Sequence, residues 1–325
     1  MNGLVSVALA AYRGTRYLEE QVNSILRQSH SDLELIILDD ASADQTFTMI
    51  EKLAAKDLRI KPYRNEKTLG LVLNFMKAVS LCRGEFVAYC DQDDVWEIKK
   101  IETLLRALGT TPQNMLAYSD LEIFDESLRV SRGSFWGTSK IAPFTGNLGE
   151  RALLKNISPG CSMLFRRQVA DMISECYRSS DFTARNSAAV LDETPFMHDH
   201  LAQVIGAGLG RLVYTPEKLV RYRQHSSNSI GAFYQARDSR EGSLRCLSMR
   251  LEAMKPYRSR LTGMDWEKMG RFADRYGRSE RAPMLEFLPY FFFLRNNSLP
   301  DRFLGGVDCF FPSFYKKVKS YVKNS

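Results

Sequence analysis

The stretch YCDQDDVW, residues 89 to 96, places three carboxylates, Asp91, Asp93 and Asp94, in four positions directly after an apolar run, EFVAYC. Asp91 and Asp93 stand one residue apart, and two such carboxylates repel one another unless a cation lies between them. Oxygen donors of this kind suit Mn2+ or Mg2+, ions that usually bridge to substrate phosphates, so a diphosphate ligand is implied. Asp94 has a different reading. With Glu97 three residues on it forms a capping box for a helix beginning near Val95, and for this residue the cap is the preferred role. Two more acids, Asp39 and Asp40, end a second apolar run, ELIILDD. His198, Asp199 and His200 open a helical pattern in TPFMHDHLAQVIGAGLG, and His225 lies in a polar loop, YRQHSSNSIG, behind the strand-like KLVRY. A histidine there suits a metal or diphosphate ligand, against the plain alternative of a surface loop. His30 in QSHSD is read as loop.

The elements that position these groups are legible from hydrophobic period. LVSVALAAY (4–12) reads as a buried strand, followed by a helix opened by Thr15 with Leu18, Val22, Ile25 and Leu26 on one face. ELIILDD (34–40) is a second strand, and Ser42 with Gln45 resembles a capping box for a helix carrying Phe47, Ile50 and Leu53. RIKPYRN (59–65) suits a third strand, Val72, Phe75, Met76 and Val79 a third helix, EFVAYC (85–90) a fourth strand, and Ile98, Ile101, Leu104, Leu105 and Leu108 a further helix. Such alternation predicts an α/β fold with a largely parallel sheet covered on both faces. Ligands of these sheets bind at the carboxyl ends of the strands, where Asp39, Asp40, Asp91 and Asp93 fall.

The chain has 325 residues, 44% hydrophobic and 26% charged, enough for one substantial core and a smaller second one. Its net charge of +7 is unevenly spread: residues 236–325 hold 18 Lys and Arg against 10 Asp and Glu, and residues 1–235 hold 27 against 28. In that last quarter the basic residues interleave with Trp266, Tyr290, Phe291, Phe292, Phe293, Phe310, Phe311, Phe314 and Tyr315. Peripheral contact with anionic lipid headgroups and an ordinary solvated helical subdomain both fit this composition. No helix-turn-helix, zinc or RNP-type signature accompanies the charge, so nucleic acid is not an expected partner. The six cysteines form no C-x-x-C pair and read as free thiols. LEFLPYFFFL (285–294) is too short and too interrupted to span a bilayer, and the N-terminus lacks a basic region ahead of its apolar run. The expected location is cytoplasmic, on the inner face of the cytoplasmic membrane if residues 236–325 touch lipid.

VSVALAAYRGTRYLEEQVNSILRQSHSDLELIILDDASADQT, followed by YCDQDDVW, resembles the family 2 glycosyltransferases of the GT-A fold, over roughly residues 4–230. The resemblance implies an inverting, metal-dependent enzyme that uses nucleotide sugars. It implies a GT-A domain at 1–235, with a nucleotide-binding half at 1–110 and an acceptor and catalytic half at 111–235, then a C-terminal helical region, basic and aromatic, at 236–325. By position, Ala10, Tyr12, Asp39 and Asp40 would line the base and ribose pocket, Ser42 would assist or cap, and Asn74 in GLVLN would contribute. The bland alternative for Asn74 is a helix-surface amide. Asp91 would contact ribose or metal, and Asp93, with His225, would ligate the metal. SPGCSMLFRRQV (158–169), with Gly160 and Cys161, resembles the segment beside donor sugar and acceptor. Asp199 matches the catalytic base, with His198 and His200 orienting the acceptor or capping the helix. The alternative for Asp199 is a first-turn residue favoured by the helix dipole.

CDQDDVW, HD and YRQH together look most similar to the rhamnosyltransferase-like branch, which suggests dTDP-rhamnose as donor with a UDP-hexose second. The acceptor would be a hydroxyl of a cell-surface polysaccharide, such as O-antigen, or of a lipid-linked oligosaccharide. Two competing readings stand beside this one. D-Q-D-D-V also fits a haloacid-dehalogenase-like phosphatase, although that motif belongs on a domain's first strand. A catalytically silent scaffold in a polysaccharide assembly complex would keep the same sheet.

Overall fold

A computed structural model describes residues 3–139, 143, 145–146, 149–186, 194–226 and 240–277. The chain divides into two compact units, 1–280 and 281–325, and every described residue lies in the first. Strand and helix alternate through the first hundred residues: β1 (Val5–Ala11), α1 (Leu18–Leu26), β2 (Leu33–Asp39), α2 (Thr46–Ala54), β3 (Ile60–Arg64), α3 (Leu71–Leu81) and β4 (Phe86–Cys90). Then come β5 (Val95–Trp96), α4 (Lys100–Leu108), β6 (Asn114–Phe124), β7 (Ser131–Ser134), α5 (Phe135–Ser139), α6 (Gly149–Leu154), β8 (Met163–Arg166), α7 (Arg167–Arg178) and α8 (Ser180–Asn186). The described elements end with α9 (His198–Leu209), β9 (Arg211–Arg223), α10 (Arg240–Ala253) and α11 (Trp266–Gly277).

The strand order is β3-β2-β1-β4-β8-β6-β9-β5, with β7 on the side of β6. The pairs among β1, β2, β3 and β4 are parallel, as is β6 with β9, and these carry most of the paired residues. β8 enters antiparallel between β4 and β6, which makes the sheet mixed, mostly parallel and α/β, as expected. β1 and β2 are buried along their whole length, so they read as nearly unbroken apolar runs. Leu18, Val22, Ile25, Ile50, Leu53, Ile101, Leu104 and Leu105 build the core on one face with Val5, Val7, Leu9, Leu35 and Ile37. On the other side Phe75 of α3, Tyr89 of β4 and Phe165 of β8 meet edge to face.

Three local expectations are corrected. Residues 95–96 do not start a helix; they pair antiparallel with Val220 and Arg221 of β9, and the helix begins at Lys100. Ile98, placed on the apolar face of that helix by its spacing, is 58% exposed ahead of it. Ser42 does not cap α2: its hydroxyl donates to Asp39 Oδ1 at 2.5 Å, and the N–H of Thr46 is met by Asp44 at 3.1 Å. α10 and the turn after it pack on the same unit. The Arg250 guanidinium donates to the carbonyls of Pro195, Leu153 and Leu154, and Gly263 N–H donates to Gly208 O. No helix among the described residues is long and apolar enough to cross a membrane. The polar loop beyond residue 226 and the aromatic-rich run at 285–315 lie outside the described residues.

Candidate active site

Four loops leave the carboxyl ends of β1, β2, β3 and β4 side by side, and hydrogen bonds tie each to its neighbour. After β1, Tyr12 N–H donates to Gln92 Oε1 at 2.9 Å, and Gln92 Nε2 returns a bond to Tyr12 O at 3.0 Å, clamping the β1 loop to the middle of D-Q-D-D. Gly14 makes this possible, because a Cβ there would lie 2.3 Å from Gln92 Oε1. Arg13 N–H donates to Ser42 Oγ and Gly14 N–H to Thr46 Oγ1, which joins the β1 and β2 loops. Arg13 and Ala41 both adopt positive φ (50° and 57°), an uncommon conformation for residues with a Cβ that these cross-ties hold in place.

The residues expected to line the base pocket separate into wall and surface. Tyr12 is 42% exposed, while Ala10 is buried inside β1 beside Leu38. Asp39 is fully buried; its oxygens accept from Ser42 N–H and hydroxyl, and Arg64 lies 3.4 Å away. Asp40 accepts from the N–H groups of Leu69 (2.8 Å) and Gly70 (2.9 Å), a carboxylate at the N-terminus of α3, and from Asn65 Nδ2. Asn74 is 2% exposed, donates to Leu38 O and accepts from Asn65, so the helix-surface alternative is overturned. Asp39, Asp40 and Asn74 thus build the scaffold of the loops.

On the other side the acidic groups gather. Oxygens of Asp91 and Asp94 and the Cys161 sulfur all lie within 4.8 Å of one another. Burial and the charges of Asp93 and Asp199 push Asp91 up to about 7. Asp199, in the first turn of α9, reaches the acidic loop through the Gly160–Cys161 turn, although the two come from opposite halves of the chain; its Oδ1 accepts from His200 N–H at 2.7 Å. Gly160 sits over the same helix start: a Cβ there would be 2.7 Å from His198 Nε2 and 3.4 Å from the Asp199 Cβ. His198 itself is buried, stacked on Phe75 at 3.8 Å, and burial pulls its imidazole down to about 4, which keeps it neutral behind Asp199. His200 is likewise buried and held by Ala152 O.

Asp93 Oδ2 lies 2.8 Å from His225 Nε2. The set Asp91, Asp93 and His225 thus arrives as two neighbouring pairs, Asp91 with Asp94 and Asp93 with His225. Asp94 is no helix cap. It is fully buried, its Oδ1 accepts from Arg223 N–H at 3.0 Å, and its Oδ2 has no hydrogen-bond partner among the described residues. Burial and its neighbours Asp93 and Asp91 push it well above the usual carboxylate range. An unpartnered buried carboxylate oxygen beside two more carboxylates and an imidazole fits a hard divalent cation. Burial holds the Cys161 thiol far above its usual value, so it stands beside the acids as a neutral group and the donor set is not a thiolate one.

Two residues that sequence reasoning passed over complete the cluster. Arg223 is 4% exposed and donates to Asp93 O (2.8 Å), Glu126 O (2.6 Å) and Glu20 Oε2 (2.5 Å), while its guanidinium covers the Tyr17 ring at 4.4 Å. Lys100 is fully buried with its Nζ 3.1 Å from the Trp96 ring centroid. Burial pulls its ammonium down to about 7, against the upward pull of Cys90, Cys161, Asp94 and Asp91. Only Arg223's place in YRQH, two residues from His225, could have drawn notice beforehand.

The model of glycosyl transferase family 2 matches residues 6–173, more than half of the chain. The chain belongs to that family. This family 2 glycosyltransferase is 28% identical over 233 residues to an uncharacterized glycosyltransferase of Haemophilus influenzae, covering 71% of this chain and 68% of the relative. It is 29% identical over 158 residues to the UDP-Glc:alpha-D-GlcNAc-diphosphoundecaprenol beta-1,3-glucosyltransferase WfgD of Escherichia coli, covering 49% of this chain and 58% of that one. Its fold matches S. aureus TarS 1–349 in complex with UDP-GlcNAc, with a TM-score of 0.56 at 16% identity over 87% of this chain and 75% of TarS. The GT-A fold and the glycosyltransferase class follow from these findings, and they set aside the phosphatase reading.

Proposed function

We propose that the chain is an inverting, metal-dependent glycosyltransferase that moves one sugar from a nucleoside diphosphate sugar to a hydroxyl of a cell-surface polysaccharide or lipid-linked saccharide. The observation that supports this reading is that one turn, Gly160 and Cys161, borders both part-exposed Asp199 and the oxygens of Asp91 and Asp94, a donor set that fits a cation. In this reading Tyr12 and the loops ordered by Asp39 and Asp40 receive base and ribose. Asp91, Asp93, Asp94 and His225 hold the divalent ion, Mn2+ or Mg2+. Gly160 and Cys161 border the sugar.

Asp199 takes the proton of the acceptor hydroxyl as that oxygen attacks the anomeric carbon from the face opposite the diphosphate. No enzyme nucleophile is required, because inversion is a single displacement. Neutral His198, packed behind Asp199, adds no positive charge that would weaken the base. A bound divalent cation supplies the charge that stabilises the departing diphosphate. The donor suggested by the motifs is dTDP-rhamnose. A UDP-hexose is the second reading, favoured by the substrate in the name of WfgD, which also favours a diphosphate-lipid-linked acceptor. Catalysis is assigned to residues 1–235, and the +8 balance of residues 236–325 supports contact with anionic lipid at the inner face of the cytoplasmic membrane.

A panel of nucleotide sugars with and without Mn2+ tests the reading by thermal shift and by product formation. A cognate nucleoside diphosphate with Mn2+ should raise the melting temperature by mass action. Asp93→Ala should abolish that metal-dependent shift. Asp199→Asn should keep it and lose about 10²–10⁴-fold in transfer. If no nucleotide shifts the wild-type protein, the silent-scaffold reading replaces this one; normal transfer by Asp199→Asn would move the base elsewhere.

A further inference from the structure

Tyr17 touches the candidate metal site, yet the reaction proposed for that site makes no use of it. It stands just ahead of α1, where its backbone closes the turn after β1: its N–H donates to Gly14 O at 3.3 Å, and its carbonyl accepts from Gln21 N–H at 3.1 Å. Its side chain reaches the other half of the fold. The hydroxyl donates at 2.5 Å to Oε1 of Glu126, two residues beyond the end of β6, and burial together with that bond pushes the phenol up to about 12, so it keeps its proton. Glu126 is held in turn by an ion pair with Arg16. A ring carried on a fixed backbone and tied at its far end has little freedom to turn.

The residues that close β9 lie against this ring. The Arg223 guanidinium carbon is 4.4 Å from the ring centroid, and the His225 imidazole centroid is 5.0 Å away with the two planes inclined by 35°. His225 stands two residues beyond β9, just after Gln224, whose N–H donates to Phe124 O at 3.0 Å. The sheet thus fixes where the histidine backbone emerges, and the Tyr17 ring stands beside the side chain. That side chain is only 6% exposed, and its Nε2 lies 2.8 Å from Asp93 Oδ2. A histidine that ligates a metal needs a neighbour to set the orientation of its ring, and such neighbours govern affinity. We propose that Tyr17 is a positioning residue: its ring backs the His225 imidazole and keeps Nε2 turned to Asp93, so that both side chains are aimed together before a divalent ion arrives. This inference rests on the metal-site reading of Asp93 and His225.

Two measurements on the full chain test it. In chelator, with tyrosine and histidine rings isotope-labelled, wild type should show nuclear Overhauser contacts between the ring protons of Tyr17 and His225, assigned by their loss in His225→Ala; their absence overturns the proposal. By calorimetry with UDP or dTDP present, Tyr17→Leu should weaken Mn2+ binding about tenfold, while Tyr17→Phe, which keeps the ring, should stay within about threefold of wild type. In the His225→Ala background Tyr17→Leu should change Mn2+ affinity by less than about twofold, because the residue it acts through is gone. An undiminished loss in that background would mean that Tyr17 only supports the fold, and an equal loss in Tyr17→Phe and Tyr17→Leu would mean that the ring is not what matters; either result overturns the inference. Should Tyr17→Leu fold too poorly to titrate, Tyr17→Met takes its place with the same expected outcomes. Mn2+ binding that ignores the loss of the ring removes this role alone, whereas a wild type that binds no Mn2+ with either nucleotide removes the metal reading and the role with it.

Discussion

Arg223→Lys keeps the charge and most of the stem but replaces a three-pronged donor with a single ammonium. Arg223 joins the Asp93 carbonyl, the Glu126 carbonyl and the Glu20 carboxylate. The Glu20 side chain is 53% exposed, so its share is that of a surface pair, about 0–1 kcal/mol. The two carbonyl bonds lie inside, where Arg223 is 4% exposed, and a lysine reaches one of them at best. The other carbonyl then loses its donor at a cost of about 1–3 kcal/mol, and the loss of the planar stack over Tyr17 adds up to about 1 kcal/mol. The expected total is roughly 2–4 kcal/mol, read as a lower urea midpoint in equilibrium unfolding followed by the fluorescence of buried Trp96 and Trp136. Because the same guanidinium holds the Asp93 backbone, Mn2+-dependent nucleoside diphosphate binding measured by calorimetry should weaken by about tenfold or more. A variant within about 0.5 kcal/mol of wild type, with unchanged affinity, would refute the view that Arg223 fastens the β9 end to the acidic loop.

Gly14→Ala should leave the melting temperature nearly unchanged, because the clashing atom is the far end of Gln92, yet weaken donor binding roughly fivefold through loss of the Tyr12 clamp, about 1 kcal/mol; unaltered binding would remove the clamp from the site. With Asp91 pushed up to about 7, its proton must leave before a cation binds, so the Mn2+ dissociation constant from calorimetry should be about tenfold weaker at pH 6 than at pH 8. The same shift has the opposite sign for the metal-free fold. Its contribution from Asp91 is fully present below the ordinary value of 3.8 and is lost as pH rises through about 7, which chelator-treated melting curves should display.

The alternation of β1 to β4 with α1 to α3 was legible because parallel strands buried on both faces and amphipathic helices differ plainly in period. The ends of β2 and β4 were legible for the same reason, and they place Asp39, Asp40, Asp91 and Asp93 in loops at one edge of the sheet. Asp94 and Ser42 misled because an acid or hydroxyl three residues before Glu or Gln also occurs where the chain turns back on itself, and spacing alone does not separate the two uses. A two-residue strand such as β5 carries no period at all. Lys100 looked like one more basic residue near a helix start. Its burial against the Trp96 ring, among the charges of Cys90, Cys161, Asp94 and Asp91 that act on it, arises only once the sheet is assembled. Arg223 meets Asp93 and Asp94 across about 130 positions, a distance at which local pattern holds no information.

That long reach has a consequence for how the protein is made. β9 supplies the pairing partner of Val95 and Trp96, the amide that binds Asp94 and the guanidinium that grips Asp93. A nascent chain that has emerged only as far as α7 can complete the β3-β2-β1-β4 ladder, but its acidic turn still lacks these three attachments. The acidic turn is therefore fastened late in synthesis, when residues 211–225 dock, and closing so distant a contact is slow compared with the local helices.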